Sequence, residues 1–518
     1  MATLAAAPAR PLLPRPRMSR ADAVLVAVVA LAGTATWLLA RPALVDDAYI
    51  TLSYAQNVAL HGTWGLLSDV PSNAATSPAW VLLLAATTVV VRDTGAALGL
   101  LHVTMVVSAA LALRSAARHT GLPSWVGPVG AVLVVANPLV LSTTGLETQF
   151  LVVLSTCLVA AAAARRPALY GLAAGLLLLT RMDTAVALVV LTLLSPAVLR
   201  RLHVAVGVAL AVVLPWSWWS WTHLGSVLPD TLAIKSGQEA WSSYDVGNGW
   251  GWWAQFDSRL VVLAAWGPMA AGAVATLGLV ALAVRARELR LLPWTALGLA
   301  GPAHWATLAF IGVPPYHWYF GFVIATGTLT VVALLGALTA TGWSWTRPVV
   351  ALACTALLLP AGYVDLAHPA QGSLAPGDRA AVPWRVAPVQ SNWMSSAAYE
   401  AMGADLRRLL TTPDGRVHRV AAFGELGHLA HSCDCLVDGF ADPALLGPDL
   451  AAFRASSPPW LQGLLDVDHR HRDADRAPVP LVGRLVYLPD PQVPPPGAPA
   501  WPVDLNPGHG HVVLLREP

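Results

Sequence analysis

Adjacent carboxylates, a lone glutamate, a lone lysine, an arginine beside an aspartate and a histidine interrupt an otherwise apolar sequence. Asp46 and Asp47 are neighbours, so each raises the other's pKa, which suits a base. Glu147 is the only glutamate in the first 238 residues, within Gly145-Leu146-Glu147-Thr148. Arg181 and Asp183 flank Met182, and His317 lies in Tyr316-His317-Trp318-Tyr319. Lys235 is the sole lysine among 31 basic side chains. A compact ammonium suits a phosphate as a movable point charge, where arginine would impose a planar fork. Each feature also has a plainer reading. The aspartates can cap a helix, Glu147 can pair with an arginine, Arg181 and Asp183 can pair with each other, Lys235 can be a loop lysine, and His317 can belong to an interfacial aromatic belt.

The surroundings decide what these residues can do. The chain has 518 residues, of which 56% are hydrophobic and 12% charged, with a net charge of +2; its mean hydropathy is +0.59. That excludes a soluble globular enzyme, a disordered chain and a nucleic-acid binder with a basic footprint. Long apolar stretches make it a polytopic helical membrane protein, in which ionisable groups are rare and mark function. Its 4 cysteines form no disulfide-rich pattern; Cys157 and Cys354 fall in apolar spans.

Twelve apolar segments fall near 22–40, 78–91, 97–113, 124–141, 148–164, 168–180, 183–198, 203–221, 258–284, 291–313, 318–340 and 348–363. Basic clusters stand at Arg10 to Arg20, Arg114 and Arg118, Arg165 and Arg166, Arg200 and Arg201, Arg285 to Arg290, and Arg347. With all of them cytoplasmic, an even number of spans separates each from the next. The short 78–91 segment is then re-entrant or interfacial, which leaves eleven spans, a cytoplasmic tail over 1–21, and an uncleaved first span. Segments 168–180 and 183–198 are short and read as a broken pair. The transmembrane module is 22–363, with a first outer loop at 41–96. Residues 364–518 regain Pro, Asp, Arg and His and read as an extracytoplasmic α/β domain. Strands are expected at 418–423, 435–438, 481–487 and 511–516, a helix at 425–431, and a loop from Pro491 to Pro502.

This topology gathers the polar residues at the outer ends of helices, as if around one cavity. Residues 46–57 continue as a helix in which Tyr54 and Asn57 share a face. Lying in the outer interface, it would hold Asp46 and Asp47 at headgroup level, where a lipid phosphate would be.

Asp46-Asp47-Ala48-Tyr49-Ile50 with Tyr54-Ala55-Gln56-Asn57, and then Thr76-Ser77-Pro78-Ala79-Trp80, resembles the first outer loop of GT-C-fold glycosyltransferases that use polyprenyl-phosphate sugars. The group most resembled is the actinobacterial terminal β-(1→2)-arabinofuranosyltransferase family of cell-wall arabinan synthesis. The motifs around Glu147, Arg181-Met182-Asp183, Leu228 to Lys235 and His317 resemble that family in the same order. So do Gly424-Glu425-Leu426-Gly427 and Val437 to Pro443. The resemblance spans about 42 to 445.

It implies a membrane transferase that moves a sugar, arabinofuranose first of all, from a polyprenyl-phosphate donor to a cell-envelope glycan on the outer face of the plasma membrane. By similarity Asp47 or Asp46 is the base. Lys235, Arg181 and His317 are the candidates for holding the donor phosphate, and Glu147, Tyr54, Asn57 and Asp183 for ordering the site or the sugar. No cofactor is required, although carboxylates and water would suit Mg or Mn. A polyprenyl-phosphate-mannose-dependent transferase acting on protein or lipoglycan is the alternative within the class. A lipid-sugar transporter or scaffold is the alternative outside it, and the polar residues at helix ends without visible repeats speak against a transporter. In the C-terminal domain Trp384, Trp393 and Trp460 could stack on sugar rings or pack in its core. Cys433 and Cys435 are two thiols or a strained, redox-labile pair. The cluster Asp466, Asp468, His469, His471, Asp473 and Asp475 reads as a cation site or a solvated turn.

Overall fold

The computed structural model describes residues 20–232, 241–255, 259–285, 289–340, 346–367, 392–473, 475–503 and 510–516. Every apolar segment marked in the sequence contains helix. Among the described residues, five helices are long and apolar enough to cross a membrane: Asp22–Ala43, Thr94–Thr120, Leu202–His223, Val262–Arg285 and Trp318–Thr339. Shorter apolar helices stand among them, including Pro78–Val91, Thr148–Ala163 and Pro167–Thr180.

Two of the expected spans are broken, each at an identifiable residue pair. The 124–141 segment divides at Asn137-Pro138, because a residue before proline is driven out of the helical region. Asn137 is extended there, accepts the N–H groups of Leu139 and Val140, and donates to the Ala264 and Ala265 carbonyls. The 183–198 segment divides at Ser195-Pro196 into Ala185–Leu193 and Pro196–Leu199.

Small residues set the closest helix crossing. A Cβ on Gly272 would stand 2.2 Å from the Cα of Gly327, so the backbones of Arg259–Arg285 and Trp318–Thr339 touch directly, as helices do where lipid supplies no hydrophobic drive. Buried indoles tie other helices together through their one donor. Trp80 donates to the Gly145 carbonyl at 3.0 Å and Trp294 to the Thr120 hydroxyl at 2.9 Å.

The C-terminal region folds as expected around a sheet, in the order β2-β1-β3-β5-β4. The strands are β1 (Arg419–Ala421), β2 (Leu436–Val437), β3 (Leu481–Pro489), β4 (Ala500–Val503) and β5 (Gly510–Arg516). β1 pairs in parallel with β2 and β3, while β3–β5 and β5–β4 are antiparallel. β4 corrects the expectation of a loop up to Pro502. It lies at the edge of the sheet, where a strand accommodates proline. The helix expected at 425–431 is Gly427–Cys433, and Cys433 and Cys435 are joined as a buried disulfide.

The sheet does not have a core of its own. Val420, Leu436, Leu485, Val512 and Leu514 share one apolar cluster with Tyr54, Trp64, Leu66 and Leu67 of the first loop. Polar contacts reinforce the joint. Ser68 binds Asp434 through its N–H and hydroxyl, at 3.0 and 2.6 Å, and Arg419 pairs with Asp69 at 2.7 Å. The first loop is thereby fixed between the helix bundle and the C-terminal unit.

Candidate active site

The helix Asp46–His61 opens on two carboxylates, which its N-terminal dipole favours. Successive helical residues project about 100° apart, so the two cannot serve the same place. Asp46 turns to the C-terminal unit and is 8% exposed. Its carboxylate accepts the backbone N–H groups of Leu426, Gly427 and His428 at 3.0, 2.8 and 2.8 Å. Its own N–H donates to Asn392. Burial pushes the Asp46 carboxyl up, against the pull of the three N–H groups. Both of its oxygens thus serve the joint between the two parts of the molecule.

That joint depends on Gly427. A Cβ there would stand 2.0 Å from the Asp46 carbonyl oxygen and 3.1 Å from the Ile50 nitrogen. Backbone cannot yield as a flexible side chain can, so Gly427→Ala forces the helix and the C-terminal unit apart. The expected result is faster proteolysis of the region after 392 and a lower melting temperature. Unchanged protease resistance would show that the joint tolerates the methyl group.

Asp47 faces the other way, into a pocket lined also by Thr51, Thr76, Ser77, Glu147, Arg181, Thr231, Trp318 and Phe440. Glu147 and Arg181 come from separate helix ends. Arg181 donates through Nη1 to Glu147 at 2.8 Å and through Nε to both oxygens of Asp183 at 3.0 and 3.1 Å. Its guanidinium lies 5.1 Å from the Tyr319 ring centre, a cation–π distance. Arg181 has five N–H donors, so this engagement leaves some of them for a ligand. The Thr231 hydroxyl is buried at the pocket wall and has no hydrogen-bond partner among the described residues.

The remaining expected site residues lie elsewhere. The Tyr54 hydroxyl stands 2.6 Å from Ser72 Oγ and accepts the Ala74 N–H at 3.2 Å. Asn57 donates to the Gly65 and Leu66 carbonyls at 3.0 and 2.9 Å. Both brace the loop whose residues 74–77 form one wall of the pocket. His317 is 1% exposed, and burial pushes its imidazole down to about 3. Its Nε2 has no hydrogen-bond partner among the described residues. Asp183 meets Arg181, with His304 Nε2 at 3.5 Å. Lys235 and Trp384 lie outside the described residues. Trp393 packs edge-on against Phe423 and Tyr487. In the 466–475 cluster, Asp466 pairs with Arg454, and Asp468 accepts the Val227 N–H. No group of three His, Cys, Asp or Glu side chains among the described residues is placed to hold a metal.

Two acidic residues of the C-terminal motifs gain roles that spacing alone did not reveal. Glu425 accepts the Trp393 N–H at 2.8 Å, and burial together with Asp46 and Asp47 pushes its carboxyl well up. Asp438 is pushed up to about 6, mainly by burial. The folded state therefore keeps a proton on Asp438 that the unfolded chain gives up between 3.8 and about 6, so stability falls as pH rises through that window. Asp438→Asn should raise the melting temperature above pH 6 and change it little near pH 4. An equal shift at both would contradict this assignment.

The bundle with its C-terminal α/β unit is a GT-C-type fold. No protein-family model and no curated protein matches the sequence. Solved structures do: ArnT from Cupriavidus metallidurans in the apo state matches with a TM-score of 0.53 and 16% identity, over 95% of this chain and 97% of that chain. ArnT bound to undecaprenyl phosphate matches with a TM-score of 0.50 and 15% identity over the same shares. The oligosaccharyltransferase of Archaeoglobus fulgidus matches with a TM-score of 0.52 and 11% identity, over 90% of this chain and 69% of that chain. At these identities the likeness establishes the fold.

Proposed function

We propose that the protein is a membrane glycosyltransferase that moves a sugar, arabinofuranose by motif resemblance, from a polyprenyl-phosphate donor to a cell-envelope glycan at the outer face of the membrane. The observation that carries this reading is the single pocket holding Asp47, Glu147 and Arg181 at helix ends beneath the C-terminal unit, in a fold shared with an ArnT structure that holds undecaprenyl phosphate. The Cys433–Cys435 disulfide suits an extracytoplasmic C-terminal domain.

In this mechanism Asp47 accepts the proton of an acceptor hydroxyl as its oxygen bonds to the anomeric carbon. The bond from that carbon to the phosphate oxygen breaks, and polyprenyl phosphate leaves with the electron pair. Its charge needs stabilisation more than protonation. Glu147 is held by Arg181 and orders the sugar, and the unpartnered Thr231 hydroxyl offers it a hydrogen bond. Asp46, Tyr54 and Asn57 brace the elements that form the walls, and the His317 ring meets Trp318 of the wall edge-on. A divalent cation could bind the pocket carboxylates, but no step above calls on one.

Among the described pocket residues Arg181 is the one cation, and two carboxylates already engage it. Lys235, four residues after Thr231 in the sequence, is proposed as the further cation for the donor phosphate. Losing a hydrogen bond to a charged group costs about 1.5–3 kcal/mol, so Lys235→Ala should raise the donor KM roughly 10- to 100-fold, with a smaller effect on the acceptor KM. An unchanged donor KM removes Lys235 from this role.

The class is tested by supplying the purified protein with labelled decaprenyl-phosphate arabinose or decaprenyl-phosphate mannose and matching acceptors. Label transfer from either supports the class and names the sugar. Transfer from neither, by folded protein, overturns it.

A further inference from the structure

The helix Pro459–Asp468 of the C-terminal unit carries an apolar stripe that none of the described residues covers. Trp460, Leu464 and Val467 are 68, 59 and 61% exposed. They stand at i, i+4 and i+7, which is one helical face. The opposite face is anchored, with Leu465 2% exposed. Large apolar side chains aligned on one face of a polar domain mark a contact surface.

What lies beside the stripe identifies its occupant. Trp221, at the end of the Leu202–His223 helix, donates through Nε1 to the Val467 carbonyl at 3.1 Å and meets the His471 ring edge-on at 4.3 Å. Asp468 accepts the Val227 N–H at 2.7 Å. The stripe is therefore locked to the end of one candidate membrane span, only 6% of which is buried in the protein. On that end Trp218 and Trp219 are themselves 66 and 36% exposed. Tryptophans at the end of a lipid-facing span sit at the headgroup level.

We infer that the Pro459–Asp468 helix lies in the membrane interface and anchors the C-terminal unit to the lipid surface through Trp460, Leu464 and Val467. Trp460 then faces lipid, not acceptor glycan. The anchor adds a second attachment, remote from Asp46 and Gly427, that holds the C-terminal unit over the pocket. The inference rests on the membrane placement of the bundle and not on the proposed chemistry.

The test uses the full-length protein with Cys157→Ala and Cys354→Ala, reconstituted in nanodiscs of phosphatidylethanolamine and phosphatidylglycerol. A nitroxide is attached at Leu464→Cys or, as a water-exposed control, at Asp449→Cys on the adjacent helix. The label at 464 should collide more with oxygen than with a water-soluble nickel chelate, and the label at 449 the reverse. Changing Trp460 and Val467 together to Ser should move the label at 464 toward the control without altering the fold. Equal nickel accessibility at both positions would overturn the inference. So would protection of position 464 by an arabinan oligosaccharide, which would make the stripe a glycan platform.

Discussion

Asp47→Asn is expected to lower transfer about 100- to 10,000-fold, the range that positioned acid–base groups supply, while leaving the protein folded. Asp47 lines the pocket, and an amide of the same shape can fill its space but cannot take the acceptor proton. The neighbouring substitution should behave differently. Asp46 accepts three backbone N–H groups at the joint with the C-terminal unit. An asparagine there turns an N–H₂ toward these donors and leaves part of the set unsatisfied, at about 1–3 kcal/mol for each buried group. Asp46→Asn should therefore lower thermal stability and loosen the C-terminal unit, with any rate loss following from that. Protease susceptibility and melting temperature, measured beside kcat, separate the two. A folded, stable and inactive Asp46→Asn with an active Asp47→Asn would reverse the assignment.

The second large effect is expected at Arg181. Its guanidinium holds Glu147 and Asp183 together, with side-chain exposures of 15, 10 and 24% for the three. Removing one partner of a buried pair leaves an uncompensated charge and costs about 3–5 kcal/mol. Arg181→Met should reduce both the yield of folded protein and the activity. The informative comparison is Arg181→Met with Glu147→Gln, which removes one of the stranded charges. If the stability loss is electrostatic, the double variant recovers part of it, whereas transfer stays low because the sugar-ordering group is gone. Additive stability losses would show that the arginine acts through packing with Tyr319.

What the sequence revealed and what it concealed follow from the physics of each residue. Asp47, Glu147 and Arg181 stood out because charge is rare in apolar sequence, and the structure gathers them in one pocket. The Arg181–Asp183 pairing was legible because the residues sit two apart. The role of Asp46 was not, since its partners are backbone N–H groups some 380 residues away, which no side-chain pattern announces. Tyr54 and Asn57 share a helix face as expected, but the face meets backbone of the following loop. Helix periodicity cannot tell a ligand-facing side from a loop-facing one. β4 was hidden by Pro502 within it and Pro499 just before it, since proline argues against a strand interior away from an edge. The shared core of the first loop and the sheet depends on long-range packing, so the two read as separate units in sequence although neither is closed without the other.

The most direct test of the account places purified wild-type protein and Asp47→Asn in nanodiscs with labelled decaprenyl-phosphate arabinose and an arabinan oligosaccharide, and follows label into the oligosaccharide. Transfer by the wild type and its near-complete loss in Asp47→Asn are expected, with both proteins equally stable. Equal transfer by the two would contradict the central claim that Asp47 is the base of a polyprenyl-phosphate-dependent glycosyltransferase.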